Sequence, residues 1–258
     1  MTVRLTIEGH VASVTIDRPE VMNALDAAAT EEMETIWRQI ETSNDIRAVV
    51  LTGAGERAFC AGADMSAAGD RTGIEYWAHA HPTGFGGLSL RTTLDVPVIA
   101  RVNGHALGGG LEMVLGCDIV VAAEHATFGL TEPRVGRLPL DGGMVLLPRQ
   151  IGYRAALAML LTGRRVSAAE ALAKGLINEV VPAAELDAAV GRWLTDILAC
   201  APLSLRAIKQ SVRETAHLPP AQARASRLPA VIACLASEDG EEGVRAFREK
   251  RPPVWSGR

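Results

Sequence analysis

At 258 residues, with 48% hydrophobic and 22% charged side chains, the chain has enough apolar content to bury a full core as one large domain or a domain with an appendage, and disorder is excluded. A formal net charge of −4 argues against a general binder of nucleic acid or of an anionic membrane, because both need a basic footprint. Cys60, Cys117, Cys200 and Cys234 lie far apart with no Cys-x-x-Cys and no Cys/His cluster, so neither a metal site nor a disulfide framework is indicated; the thiols read as reduced and mostly buried.

The first eight residues are charged and alternating rather than a continuous apolar block, so they read as strand and not leader. No run approaches the length that spans a bilayer, and the expectation is a cytoplasmic protein. Val3, Leu5 and Ile7, then Ala12, Val14 and Ile16, alternate on either side of Glu8-Gly9-His10, which predicts a β-hairpin. Met33, Ile36, Trp37 and Ile40 recur at i, i+3, i+4 and i+7, predicting a helix over 26–41 with Asp26 as its N-cap. Short apolar runs at 48–52, 96–102 and 118–121 read as buried parallel strands. The stretch 66–87, rich in Gly, Ala and His, has no clear period and is expected to be a mobile loop.

Ser167-Ala168-Ala169-Glu170 has the capping-box pattern, in which the Ser and Glu side chains satisfy orphan N–H groups, so a helix starts there and ends near Gly175. A strand over 177–181 follows. From 183 onward strand signals vanish, and 183–200, 202–216, 220–237 and 240–250 read as four helices. Strand and helix alternate first, and an all-helical tail closes the chain.

The candidate chemistry begins at Gly108-Gly109-Gly110-Leu111-Glu112, at the end of a strand and the start of a helix over 111–116. Such a terminus leaves backbone N–H groups free to stabilise a developing oxyanion; it is equally compatible with a tight turn, and its spacing is not a dinucleotide fingerprint. A second glycine-bearing loop, Ala58 through Met65, offers another backbone donor. Glu112, among Leu111, Met113, Val114 and Leu115, either points to solvent or is buried with a task, and Glu132 before Pro133 fits a loop beyond a strand. If both acids face one cleft, desolvation and repulsion raise at least one pKa, which suits a pair that moves protons around a water. His79 and His81 read as solvated loop residues, His105 as packing beside the glycine turn. No serine sits in a Gly-x-Ser-x-Gly elbow.

These segments, together with Asp17 through Leu25, Val102-Asn103-Gly104-His105, Cys117-Asp118 and Phe247 through Arg251, resemble the enoyl-CoA hydratase/isomerase (crotonase) family in order and over nearly the whole chain. The resemblance implies an α/β fold, a crotonase-like (ClpP/crotonase) spiral of ββα turns over 1–200 with an all-helical C-terminal region over 201–258 that makes trimers, often stacked as hexamers. It implies an acyl-CoA thioester substrate and no further cofactor. By motif match the backbone N–H groups of Ala63 and Gly109 form the oxyanion hole. Arg18, Met22, Ala24, Ala61, Gly62, Asp64, Met65, Leu107, Gly108, Thr131 and Leu140 match positions around CoA and the acyl chain, with Arg18 toward adenine or phosphates. Phe247 and Lys250 match a tail that approaches CoA, in some members from a neighbouring subunit.

Hydrating members resemble this chain in carrying acids at the positions of Glu112 and Glu132, which implies an enoyl-CoA hydratase in which Glu112 activates water and Glu132 holds it and delivers the Cα proton. One segment departs from the pattern. Where many hydratases read Pro-Gly-x-Gly-Gly, this chain has Pro139-Leu140-Asp141-Gly142-Gly143. An acid near this place occurs in relatives that are isomerases, a carnitinyl-CoA dehydratase and an aryl-CoA dehalogenase, the last of which does not need the glutamate pair. Asp141 alternatively caps the helix beginning at Gly142. A non-catalytic acyl-CoA-binding member of the fold is the remaining alternative.

Overall fold

The computed structural model describes residues 2–66 and 72–258. Strands β1 (Val3–Glu8) and β2 (Val11–Ile16) form the expected antiparallel hairpin, and α1 (Ala27–Thr42) follows with the Asp26 carboxylate accepting from Ala29 N at 2.8 Å. Then come β3 (Ala48–Gly53), β4 (Ala58–Cys60), α2 (Gly73–Ala78), β5 (Val98–Val102), β6 (His105–Leu107), α3 (Gly109–Leu115), β7 (Ile119–Ala123) and β8 (Thr127–Gly129). The chain continues through α4 (Gly143–Ile151), α5 (Tyr153–Thr162), β9 (Val166–Ser167), α6 (Ala168–Ala173), β10 (Glu179–Val181) and α7 (Leu186–Leu198). Helices α8 (Pro202–Thr215), α9 (Pro220–Ala225), α10 (Pro229–Leu235) and α11 (Glu238–Glu249) complete it.

Successive turns give one long strand to a six-stranded sheet, ordered β1-β2-β3-β5-β7-β10, and one short strand to a four-stranded sheet, ordered β4-β6-β8-β9. From β2 to β10 the large sheet is parallel, and β4, β6 and β8 are parallel in the small one. This repetition is a spiral of ββα turns, and its reason is visible in β3. Val49 and Leu51 enter the core shared with α1 and α3, whereas Ala48 and Val50 enter a second core against α7. Burial on both faces is why the strand reads as one apolar run rather than an alternation. Trp37 of α1 is fully buried and its indole N–H reaches Gly86 O at 2.8 Å, tying α1 to the segment beneath the later cleft.

Three expectations are corrected. The stretch 66–87 is not a continuous loop: α2 runs inside it, started by a capping box in which Thr72 Oγ1 accepts from Glu75 N and Glu75 accepts from Thr72 N. Residues 67–71 of that stretch lie outside the described residues. The single helix expected over 220–237 is two, because Pro229 has no N–H to continue α9 and instead opens α10 as its first residue. Of the four thiols Cys60 is buried, Cys117 and Cys234 are half-buried, and Cys200 is exposed. Among the described residues no helix is long and apolar enough to cross a membrane.

Candidate active site

Two asparagines of the quoted segments fix the loop that ends at Ala63. Asn103 Nδ2 donates to Gly53 O, Gly55 O and Ala58 O, and Asn23 Nδ2 donates to Ala54 O and Ala58 O, all within 3.1 Å. The chain beyond β4 is thereby held against β6. Ala63 then pairs with Leu25 in a single parallel bridge that uses the Gly62 carbonyl and the Asp64 N–H. In such a bridge the N–H of the middle residue faces the opposite way, so Ala63 turns its donor into the cleft.

Gly108 supplies the second half. Its φ of 53° with ψ of −127° is backbone that glycine alone adopts without strain, and it redirects the chain from β6 into α3. Gly109 opens α3, so its N–H has no intrahelical acceptor. Packing requires the next two glycines: a Cβ on Gly109 would stand 2.5 Å from the Phe85 ring, and one on Gly110 2.0 Å from the Cys60 carbonyl oxygen. A Cβ on Gly62 would lie 3.2 Å from Gly109 N, which measures how closely the two donor loops approach.

These donors open on a cleft of about 1050 Å³. Of the residues singled out in the sequence, Ala61, Gly62, Ala63, Met65, Gly108, Gly109, Glu112, Thr131, Glu132, Leu140 and Asp141 line it. Arg18, Met22, Ala24, Asp64 and Leu107 stand outside the lining. Arg18 donates to the Ala24 carbonyl and pairs with Asp26 and Asp64 at 2.9 and 3.0 Å; the Ser66 hydroxyl bond first, and then the Arg18 guanidinium, hold the Asp64 carboxyl below its usual range. Phe247 is 86% exposed and Lys250 is also exposed, and neither lines the cleft of this chain. His79 and His81 are exposed outside it, and His105 bonds Thr127 Oγ1 at 2.8 Å.

Glu112 is not on the surface. It is 2% exposed on the inner face of α3, and Oε1 accepts from Gly143 N at 2.9 Å. Burial pushes its carboxyl up to about 8, and the charges of Asp141 and Glu132 add to the effect against the Gly143 bond. Glu132, on a short 3-10 turn after β8, is also held above the usual range by burial and by Asp141; its Oε2 is buried with no hydrogen-bond partner among the described residues. A buried oxygen left without a donor carries a cost that a bonded water or hydroxyl removes.

Asp141 does not cap α4: the N-cap is Gly142, with no side-chain capping bond. Its carboxylate instead accepts from the Tyr76 hydroxyl of α2, and burial raises its pKa against that bond. Tyr76, Ile74, Trp77, Phe85, Val135, Leu138 and Met144 complete an apolar wall that sequence reasoning missed. The signal for Tyr76 was present, since Thr72-x-x-Glu75 is the same capping pattern that located α6. Among the described residues no cluster of His, Cys, Asp and Glu is arranged to hold a metal ion.

A cleft lined by Ala63, Gly109 and the carboxyl groups of Glu112, Glu132 and Asp141, on a spiral of ββα turns, places the chain in a class of α/β proteins with the fold of crotonases. The sequence model of the enoyl-CoA hydratase/isomerase family matches residues 6–258, and the chain belongs to that family. It is similar to the carnitinyl-CoA dehydratase of Escherichia coli strain K12, at 39% identity covering 100% of this chain and 99% of the relative. Among solved structures it is similar to an enoyl-CoA hydratase from Bacillus anthracis, with a TM-score of 0.91 at 33% identity and full coverage of both chains. An enoyl-CoA hydratase from Mycobacterium tuberculosis H37Rv superposes with a TM-score of 0.90 at 30% identity, covering 100% of this chain and 99% of that one.

Proposed function

We propose that the chain is an enoyl-CoA hydratase, adding water across the 2-trans double bond of an enoyl-CoA to give the 3-hydroxyacyl-CoA and catalysing the reverse elimination with the same groups. The observation that carries this reading is the pair Glu112, buried, and Glu132, half-buried, two carboxyls held above their usual range in one cleft beside the N–H groups of Ala63 and Gly109. The thioester carbonyl accepts from those two N–H groups, which strengthen their bonds as it becomes an enolate oxygen. In hydration the pair's shared proton sits on Glu132, so Glu112 takes a proton from the water that attacks Cβ while Glu132 gives its proton to Cα. Elimination reverses both transfers, with Glu112 protonating the departing hydroxyl. The pair works with one proton shared between its members, and the separate roles are coupled. A non-catalytic acyl-CoA binder has no use for two desolvated acids, whose burial costs folding energy.

A carnitinyl-CoA type of dehydratase is the second reading, favoured by Asp141. An anion inside an apolar wall that includes Tyr76 and Trp77 suits an acyl group bearing a quaternary ammonium, and the Escherichia coli relative carries that activity in its name.

Loss of the absorbance of the conjugated enoyl thioester, on adding the protein to crotonyl-CoA and to longer enoyl-CoAs, tests the first reading. Glu112→Gln and Glu132→Gln are each expected to lower kcat/KM by about 10²- to 10⁴-fold. If no enoyl-CoA is hydrated, or both variants keep full activity, the mechanism is wrong. Turnover of carnitinyl-CoA or of a 3-enoyl-CoA instead, lost selectively in Asp141→Asn, reassigns the enzyme to a dehydratase or an isomerase.

A further inference from the structure

Tyr76 reaches the cleft from α2, a helix that none of the family segments includes, and its hydroxyl donates to Asp141 Oδ2. The rest of Asp141 is equally fixed. Ser89 Oγ accepts from Phe85 N at 2.8 Å and donates to the Asp141 carbonyl at 2.5 Å, so the segment that backs Gly109 also holds the Asp141 backbone. The Asp141 residue is 5% exposed. Among the described residues the groups that titrate or carry charge in the cleft lining are Tyr76 from α2, Glu112 from α3, Glu132 and Arg137 from the segment after β8, and Asp141 itself. Arg137 makes no side-chain bond or ion pair to any of the three acids among the described residues. Among the described residues Tyr76 is the one side-chain donor that any of them receives.

We propose that Tyr76 is a positioning residue that holds Asp141 as the standing anion of the cleft, so that Glu112 and Glu132 are left with a single proton between them. Three desolvated carboxyls in one cleft cannot all ionise near neutrality; Glu112 accepts the Gly143 backbone N–H, whereas Asp141, the intrinsically stronger acid, accepts the Tyr76 hydroxyl and ionises first. Burial raises the Asp141 carboxyl against the Tyr76 bond, and the Asp141 charge adds to burial in raising both Glu132 and Glu112. The phenol cannot compete for the role of anion, because burial and the neighbouring Asp141 charge drive its own ionisation far above the usual range. Tyr76 thus remains a donor across the working pH range. Its catalytic consequence rests on the acid–base role of the glutamate pair, but the distribution of charge does not.

The test is carboxyl carbon NMR on protein labelled at the Asp and Glu carboxyl carbons, titrated without substrate, with the Asp141 signal assigned by its loss in Asp141→Asn. In Tyr76→Phe, which keeps the ring, the Asp141 midpoint is expected about 1–2 pH units higher than in the parent. An unchanged midpoint overturns the proposal. Asp141→Asn supplies an independent arm: removing the anion is expected to lower the Glu112 midpoint, and a Glu112 midpoint that stays in place also overturns it. In turnover, Tyr76→Phe is expected to move the acid limb of the kcat/KM profile to higher pH, whereas a wall residue with only a packing role lowers activity without moving the limb. If no acyl-CoA is turned over, the hydratase reading fails while the NMR titration still decides for or against Tyr76.

Discussion

Glu112 owes its chemistry and its folding cost to the same burial. An unfolded glutamic acid loses its proton near 4.3. In the native cleft Glu112 keeps it up to about 8. Between those values the native state binds the extra proton, so stability falls as pH rises through the window. At and above the upper value the loss is on the order of 3–5 kcal/mol relative to a group of ordinary pKa. Glutamine has nearly the same shape, carries no charge, and offers its side-chain carbonyl to Gly143 N. Glu112→Gln is therefore expected to unfold at higher temperature than the parent at about pH 9, with the difference shrinking toward pH 5, as read by calorimetry across the range. A difference in Tm independent of pH would mean that Glu112 is ionised throughout in the folded protein.

At the scale of elements, α2 shows what a single sequence conveys and what it does not. The helix has six residues, and its apolar side chains face the cleft rather than the core: Ile74 is 79% exposed and Trp77 67%. No amphipathic period can be read from so short a segment, and what marks it in the sequence is the capping box of Thr72 and Glu75. Helix α6, of the same length, was legible because its capping box stands beside Ala168 and Ala171, both fully buried. The difference predicts a local effect. Thr72→Ala removes the acceptor for Glu75 N and costs about 1 kcal/mol, a roughly fivefold rise in opening of α2. Amide exchange over 73–78 should quicken by that factor with Tm unchanged. Faster exchange spread over β3 and β5 would show that α2 is part of the global fold rather than a wall that opens by itself. The glycine turn and Glu112 were legible for the opposite reason, since close approach leaves a fixed residue type at each position, whereas the Asp141–Tyr76 bond joins positions 65 apart in the chain and has no local trace.

For the whole molecule, the parallel sheet could be read from continuous apolar runs, but the attachment of residues 201–258 could not, because it is polar and long-range. Arg206 donates to Ser43 O and Ile46 O, Lys209 to Val96 O and Asp118, and Arg213 pairs with Asp95, so one face of α8 is fastened by cations to the ends of the large sheet. The last residues return over this region as a strap. Arg47 Nη2 donates to Trp255 O, Trp255 Nε1 donates to Ala199 O, and Asp239 accepts from Ser256 N, Ser256 Oγ and Gly257 N. Asp239 is 3% exposed, so its substitution leaves three donors without their acceptor rather than returning them freely to water. Asp239→Ala is expected to cost about 2–3 kcal/mol and lower Tm by about 5–10 °C. The first loss of amide protection should fall within 238–258, while β2, β3 and β5 keep theirs. Asp239→Asn retains one acceptor oxygen and should recover part of the loss; if it is as unstable as the alanine variant, the strap depends on the charge of Asp239 and not on its hydrogen bonds.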